Sequence, residues 1–181
     1  VSGCKTSSLY ALAEDLRQRG TVLLATTTHI MRPEQYPFAQ TAEELAAALA
    51  EHGAACAGSY TAEGKLTAPG FPGWETAADY VLVEADGSKR LPAKAHAAWE
   101  PVLPPQRRRT VCVLGASAFG QTIRQAAHRP ALYAALAGAS EEDVITPALA
   151  ARVLMAEGGF DVIYVNQIDR EDFDPALAGA F

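Results

Sequence analysis

The first residues of the chain, "VSGCKTS" at positions 1–7, set a glycine, a lysine and a threonine at the spacing of the second half of a phosphate-binding loop. Such a loop needs backbone N–H groups turned inward around a phosphate, a lysine reaching the β and γ phosphates, and a hydroxyl on Mg²⁺. Gly3, Cys4, Lys5, Thr6 and Ser7 supply these groups, and a helix starting at once adds its positive N-terminal end. Cys4 stands where a glycine ordinarily lets the backbone come close. A lysine-threonine helix start without any ligand is spelled the same way, so a second group is needed to separate the two.

That group lies in "YVLVEADGSK", an apolar run ending in two acids and a glycine. Carboxylates at a strand end hold Mg²⁺ through water or orient an attacking water. The expected roles are Thr6 and Asp86 on Mg²⁺, with Glu84 polarising water and both acids catalytic. A third group is "VIYVNQID", where Asn166 and Asp169 stand three apart after an apolar run, as in the base-reading turn of GTPases. There the aspartate accepts from guanine donors and the asparagine contacts the base edge. Gln167 takes the place of the lysine whose stem covers the base, and a strand-end turn capped by Asn and Asp fits the same letters.

Other patterns carry less. "GASAFG" at 115–120 mimics a dinucleotide fingerprint, but the acids about 20 residues on, Glu141 and Glu142, fall in a helix cap rather than at a strand end. It also mimics a nucleophile elbow around Ser117, which Phe119 spoils. His29 and His128 are isolated, and polar or capping roles suit them better than a metal. "RRR" at 107–109 reads as a solvated run.

The elements that must position these groups alternate between strand and helix. Residues 5–19 place Leu9, Leu12, Ala13 and Leu16 on one helical face before Gly20. Strands follow at 21–30, 80–87, 110–115 and 160–169. Thr41 and Glu44 have capping-box spacing and Gly53 ends that helix; Thr146, Pro147 and a later glycine bound another. A short hairpin with a Glu63-Gly64 turn is expected around 54–70, and "RLPAKAHAAWEPVLPPQRRR" reads as a long surface loop. Continuous apolar strands separated by helices indicate a parallel sheet covered on both faces. Right-handed crossovers then bring the strand C-termini, and the reactive groups with them, to one rim.

The whole chain, 181 residues with 49% apolar and 20% charged, suits one globular domain. A net charge of −6 argues against general nucleic-acid binding, though a nest of N–H groups still accepts one nucleotide. Cys4, Cys56 and Cys112 lack zinc-site spacing and are odd in number, which points to a reducing, cytoplasmic setting. No apolar run is long enough to span a membrane.

The stretches "CKTSSLYALAEDLRQRG", "YVLVEADGSKRLPAKAHAAWEPVLP", "AHRPALYAAL", "ITPALAARVLMAEGG" and "VIYVNQID" occur in an order that resembles the YqeC family, accessory proteins of selenium-dependent molybdenum hydroxylases. The most specific piece is Glu-Ala-Asp-Gly-x-Lys-x-Leu-Pro-x-Lys-Ala. The resemblance implies an α/β three-layer sandwich of P-loop NTPase type with a mainly parallel sheet, in a single domain over 1–181. The strand that opens such domains is expected to be missing or truncated here, and Val1 and Cys4 stand at positions where the family has glycine. It further implies an NTP (ATP or GTP) with Mg²⁺ as cofactor, and a role in maturing a molybdenum hydroxylase or its molybdenum cofactor. Lys89 and Lys94 are then candidates for an anionic substrate such as a pterin phosphate. Two alternatives stay open: a non-hydrolysing scaffold partner, or a nucleotidyl- or phosphotransferase acting on a small anion.

Overall fold

The structure, a computed structural model, describes residues 4–169, with Cys4 and Lys5 through their backbone alone. Contacts gather the described residues into two compact units, one built from Thr6–Gly87 and Pro101–Gln106, the other from residues 4–5, Ser88–Glu100 and residues 107–169.

The first unit is three layers. Its sheet has β1 (Val22–Thr26), β2 (Phe38–Ala39), β3 (Ala54–Ala57) and β6 (Tyr80–Glu84) in the order β2-β3-β1-β6, every pair parallel. Because side chains alternate along a strand, Val22 and Leu24 meet Ala13, Leu9 and Leu16 of α1 (Cys4–Leu16) on one face. Leu23 and Ala25 meet Leu45 and Leu49 of α2 (Ala42–His52) on the other. β1 is therefore buried along its whole length, which is why it reads as an unbroken apolar run. Each such buried leucine stabilises the fold by about 1.5–3 kcal/mol.

Local chemistry sets the ends of these elements. Thr41 Oγ1 accepts from the Glu44 N–H at 3.2 Å, and Gly53 closes α2 with φ of 71°. At the base of the sheet, Asp79 Oδ2 accepts from the Thr21 N–H and hydroxyl at 2.8 and 2.9 Å, tying the start of β1 to that of β6. Gly20 is needed there, since a Cβ would sit 2.7 Å from that carboxylate oxygen.

The hairpin expected around 54–70 is β4 (Ser59–Tyr60) paired antiparallel with β5 (Leu66–Thr67), turning at Gly64 with φ of 76°. Ala54–Ala57 belongs instead to the central sheet, where its small side chains fit between the two helices.

The second unit holds β8 (Val111–Gly115) parallel to β10 (Val162–Asn166), and β7 (Ala93–Lys94) parallel to β9 (Ala127–His128). Helices α3 (Ile123–Ala126), α4 (Pro130–Ala137) and α5 (Pro147–Glu157) pack together around Ile123, Tyr133, Ile145, Leu149 and Val153. Thr146 caps α5 through the Leu149 N–H, with Pro147 at its first turn and Gly158 at its end. Arg129, directly before Pro130, has φ of 65°, and the helical run is split there into α3 and α4. The stretch expected as a surface loop is only partly one, because Ala93, Lys94 and Ala95 are buried. No helix among the described residues is long and apolar enough to cross a membrane.

Candidate functional site

Register alone brings two candidate segments together. β1 and β6 pair so that Thr26 lies beside Glu84 at the C-terminal edge of the sheet. Thr26 Oγ1 donates to the Glu84 carbonyl at 2.8 Å and accepts from the Thr28 N–H at 3.0 Å. The Thr27 N–H donates to the same carbonyl at 3.1 Å, and its hydroxyl donates to the Val102 carbonyl. Val102 N–H in turn donates to the Ala85 carbonyl at 3.0 Å. The backbone of Glu84 and Ala85 is thus held by hydrogen bonds from Thr26, Thr27 and Val102.

Onto this edge comes the first turn of α1. Thr6 Oγ1 donates to Glu84 Oε2 at 3.1 Å, joining residues 78 apart in the chain. Asp86, two residues beyond the strand, is buried at 7% exposure. Burial, with the charges of Cys56 and Glu84 adding to it, pushes the Tyr10 phenol up to about 12. The structure sets Thr6 against Glu84, and Asp86 follows two residues after that strand ends. Ser7 follows on the same helix and is exposed. The side chains of Cys4 and Lys5, and Gly3 entirely, lie outside the described residues.

The donors present suit Mg²⁺ in one mode. A hydroxyl and two carboxylates are hard oxygen ligands, and Mg²⁺ commonly uses one or two carboxylates while phosphates and water complete its shell. A cage made by protein alone is a different matter: among the described residues no group of three or more His, Cys, Asp or Glu is placed to hold an ion. Thr6, Glu84 and Asp86 offer oxygen donors of the hard type that Mg²⁺ takes.

The second unit holds the remaining candidates. Asn166 closes β10, and its Oδ1 accepts from the Gln167 N–H at 2.7 Å. Gln167 has φ of 69°, and its Oε1 accepts from the Ser117 hydroxyl at 2.8 Å. Gln167 and Ser117 thus shape the turn after the strand, which gives "GASAFG" a structural use. Asp169 is exposed just beyond.

Lys89 is exposed and left-handed at φ of 50°, with Arg90 following at 67°. Lys94 is not solvated: its side chain is 3% exposed and its Nζ lies 3.0 Å from Glu100 Oε2. The same oxygen takes Arg129 Nη2 at 3.0 Å and Nε at 3.2 Å, and the Arg129 guanidinium lies over the Trp99 ring at 5.5 Å. Burial alone would raise the Glu100 carboxyl; hydrogen bonds from Lys94 and Arg129 outweigh it and hold the group below its ordinary value. Sequence patterns did not single out Glu100 or Arg129. The signals available were Arg129 directly before a helix-starting proline and Glu100 directly after an aromatic residue.

A cavity of about 310 Å³ lined by Arg17, Tyr36, His52 and Ala54 opens near the start of β3. That is the opposite edge from Glu84, and none of the predicted residues lines it.

Comparison with known proteins agrees with the motif order. The profile of the YqeC protein family matches residues 2–131. The chain is 31% identical over 174 residues to a protein named uncharacterized protein YqeC from Escherichia coli (strain K12), covering 88% of this chain and 67% of that one. No solved structure matches. The chain belongs to the YqeC family.

Proposed function

We propose that this protein binds an NTP with Mg²⁺ at the C-terminal edge of its parallel sheet, and uses it in maturing a selenium-dependent molybdenum hydroxylase or its molybdenum cofactor. The observation carrying the nucleotide part is the Thr6–Glu84 hydrogen bond at 3.1 Å, which sets a helix-start hydroxyl against a strand-end carboxylate. The maturation part rests on the likeness to accessory proteins of those hydroxylases, and hydroxylase or cofactor is the expected partner.

Thr6 would turn its hydroxyl oxygen toward the metal while its O–H donates to Glu84 Oε2. Asp86 holds the shell of metal-bound water. Bound Mg²⁺ supplies neutralisation of phosphate charge. Glu84 orients the hydroxyl and polarises an attacking water. Lys5, one residue before Thr6, reaches the phosphates; Gly3, Cys4 and Ser7 line them with backbone N–H groups. Asn166 and Asp169 are the candidates, on the sequence pattern alone, for contacting the base.

Product analysis tests this. Mg²⁺-dependent release of phosphate by wild type, lost in Glu84→Gln, is the expected result. Release of pyrophosphate moves the assignment to a transferase. Capture of the hydroxylase without any nucleotide binding contradicts the nucleotide role.

A further inference from the structure

The loop after β1 and the hairpin after β3 both leave the sheet at the edge where Thr26 meets Glu84, because these strands are parallel. The loop is fastened to the hairpin. The Ile30 N–H donates to the Leu66 carbonyl at 3.0 Å, and the Leu66 N–H donates to the Ile30 carbonyl at 2.8 Å. Two residues on, the Arg32 guanidinium lies 4.9 Å from the centre of the Phe38 ring, and its Nη1 lies 3.5 Å from the Tyr60 hydroxyl. The Phe38 and Tyr60 rings are 5.3 Å apart and tilted by 59°.

We infer that Arg32, Phe38 and Tyr60 form a docking site for a small planar aromatic anion, on the same edge of the sheet as Glu84. That this ligand is the second reactant, beside the nucleotide, rests on the proposed function; its binding does not.

Exposure is the first support. Tyr60 is 47% exposed and Met31 70%, with Arg32 exposed beside them. An aromatic ring, a thioether and a guanidinium are the side chains on which flat rings stack. Phe38 backs Tyr60 from within the sheet, where it pairs with Cys56 of β3. The platform is therefore built before any ligand arrives.

Charge is the second support. Among the described residues Arg32 meets the Phe38 ring and the Tyr60 hydroxyl, and it forms no ion pair with a carboxylate. A guanidinium laid over a ring keeps its edge donors for another group, and their fork matches a carboxylate or phosphate. The chain carries a net charge of −6, so a cation left without an acid at this edge runs against the general balance.

Position is the third. Ligands of open parallel sheets sit outside the carboxyl ends of the strands. Neighbouring strands stand about 4.8 Å apart, so the ends of β3 and β6, two steps apart in the order β2-β3-β1-β6, are separated by about 10 Å. A ring stacked at Tyr60 thus has Glu84 within the length of an ordinary substituent.

The experiment follows the isotope-labelled methionine methyls of the full chain by NMR while carboxypterin, a flat two-ring anion, is added without nucleotide. The chain has two methionines, Met31 next to the site and Met155 on α5, which serves as the reference. Met31 is expected to shift saturably while Met155 stays in place. Neutral pterin is expected to bind about tenfold more weakly, and acetate, an anion without a ring, to leave Met31 unmoved. Arg32→Gln is expected to lose about tenfold for the anion and to bring the two pterins level. Tyr60→Val keeps a strand former and is expected to weaken both. Arg32 and Tyr60 are exposed, so both variants are expected to fold; if Tyr60→Val does not, Arg32→Gln decides. A Met31 signal that neither pterin moves saturably, equal affinity of wild type for the charged and neutral rings, or unchanged binding by Arg32→Gln overturns the site. No nucleotide is present, so failure here leaves the nucleotide assignment standing, and failure of that assignment leaves this site standing.

Discussion

The hydroxyl of Thr6 lies 3.1 Å from the Glu84 carboxylate, although 78 positions separate the two in sequence. The contact exists because β1 pairs with β6 in a register that ends Thr26 beside Glu84, while α1 packs on the same sheet and brings its first turn to that edge. Changing Thr6 to Val keeps the shape and removes the oxygen. Mg²⁺-dependent nucleotide affinity is then expected to fall about tenfold or more, as for loss of a charge-assisted hydrogen bond of about 1.5–3 kcal/mol. Affinity measured without Mg²⁺ changes less, and an equal loss in both conditions argues against a role for Thr6 at the metal.

Leu23→Ala should lower the unfolding free energy by about 2–5 kcal/mol, because its side chain is fully buried between β1 and α2. Urea denaturation measures it. A loss below about 1 kcal/mol contradicts the packing described for that face.

Thr41→Ala removes the acceptor for the Glu44 N–H and should cost about 1 kcal/mol. Thr41→Ser, which keeps the oxygen, should restore most of it in the same assay.

Glu100 gives a pH signature. Its folded-state pKa is held below the ordinary 4.5 because, against the opposing effect of burial, Lys94 and Arg129 bond its carboxylate. Its stabilisation is therefore complete above that ordinary value and disappears as pH falls through the lower folded one. Glu100→Gln should lose about 3 kcal/mol near neutrality, since the buried Lys94 ammonium and the Arg129 guanidinium both lose the negative charge of that carboxylate. The variant should also lose part of the wild-type decline below pH 4.5. Parallel pH profiles for the two proteins contradict this.

Much of the architecture was legible where local chemistry and global fold agree. The Thr41, Glu44 and Gly53 signals, and the Thr146-Pro147 start of α5, end helices where the letters said they would. The place of Glu84 at a strand end, with Asp86 just beyond it, was legible from the apolar run that precedes them. Legibility failed where tertiary contacts supply what a short stretch lacks. Ala54–Ala57 is small and turn-like, yet it is a central strand because the Val22–Leu24 backbone pairs with it and only small side chains fit. Lys94 sits among prolines and basic residues that read as a solvated loop, yet Glu100 neutralises it in the interior. β10 reads as a buried strand, yet Val162, Ile163 and Tyr164 are exposed, since β8 is its strand partner among the described residues.

The most direct measurement is an equilibrium titration of fluorescent ATP and GTP, with Mg²⁺, against wild type and Lys5→Ala. The account predicts saturable, Mg²⁺-dependent binding by wild type and a loss of at least tenfold in the variant. Equal binding by the two proteins, or none by wild type, contradicts it.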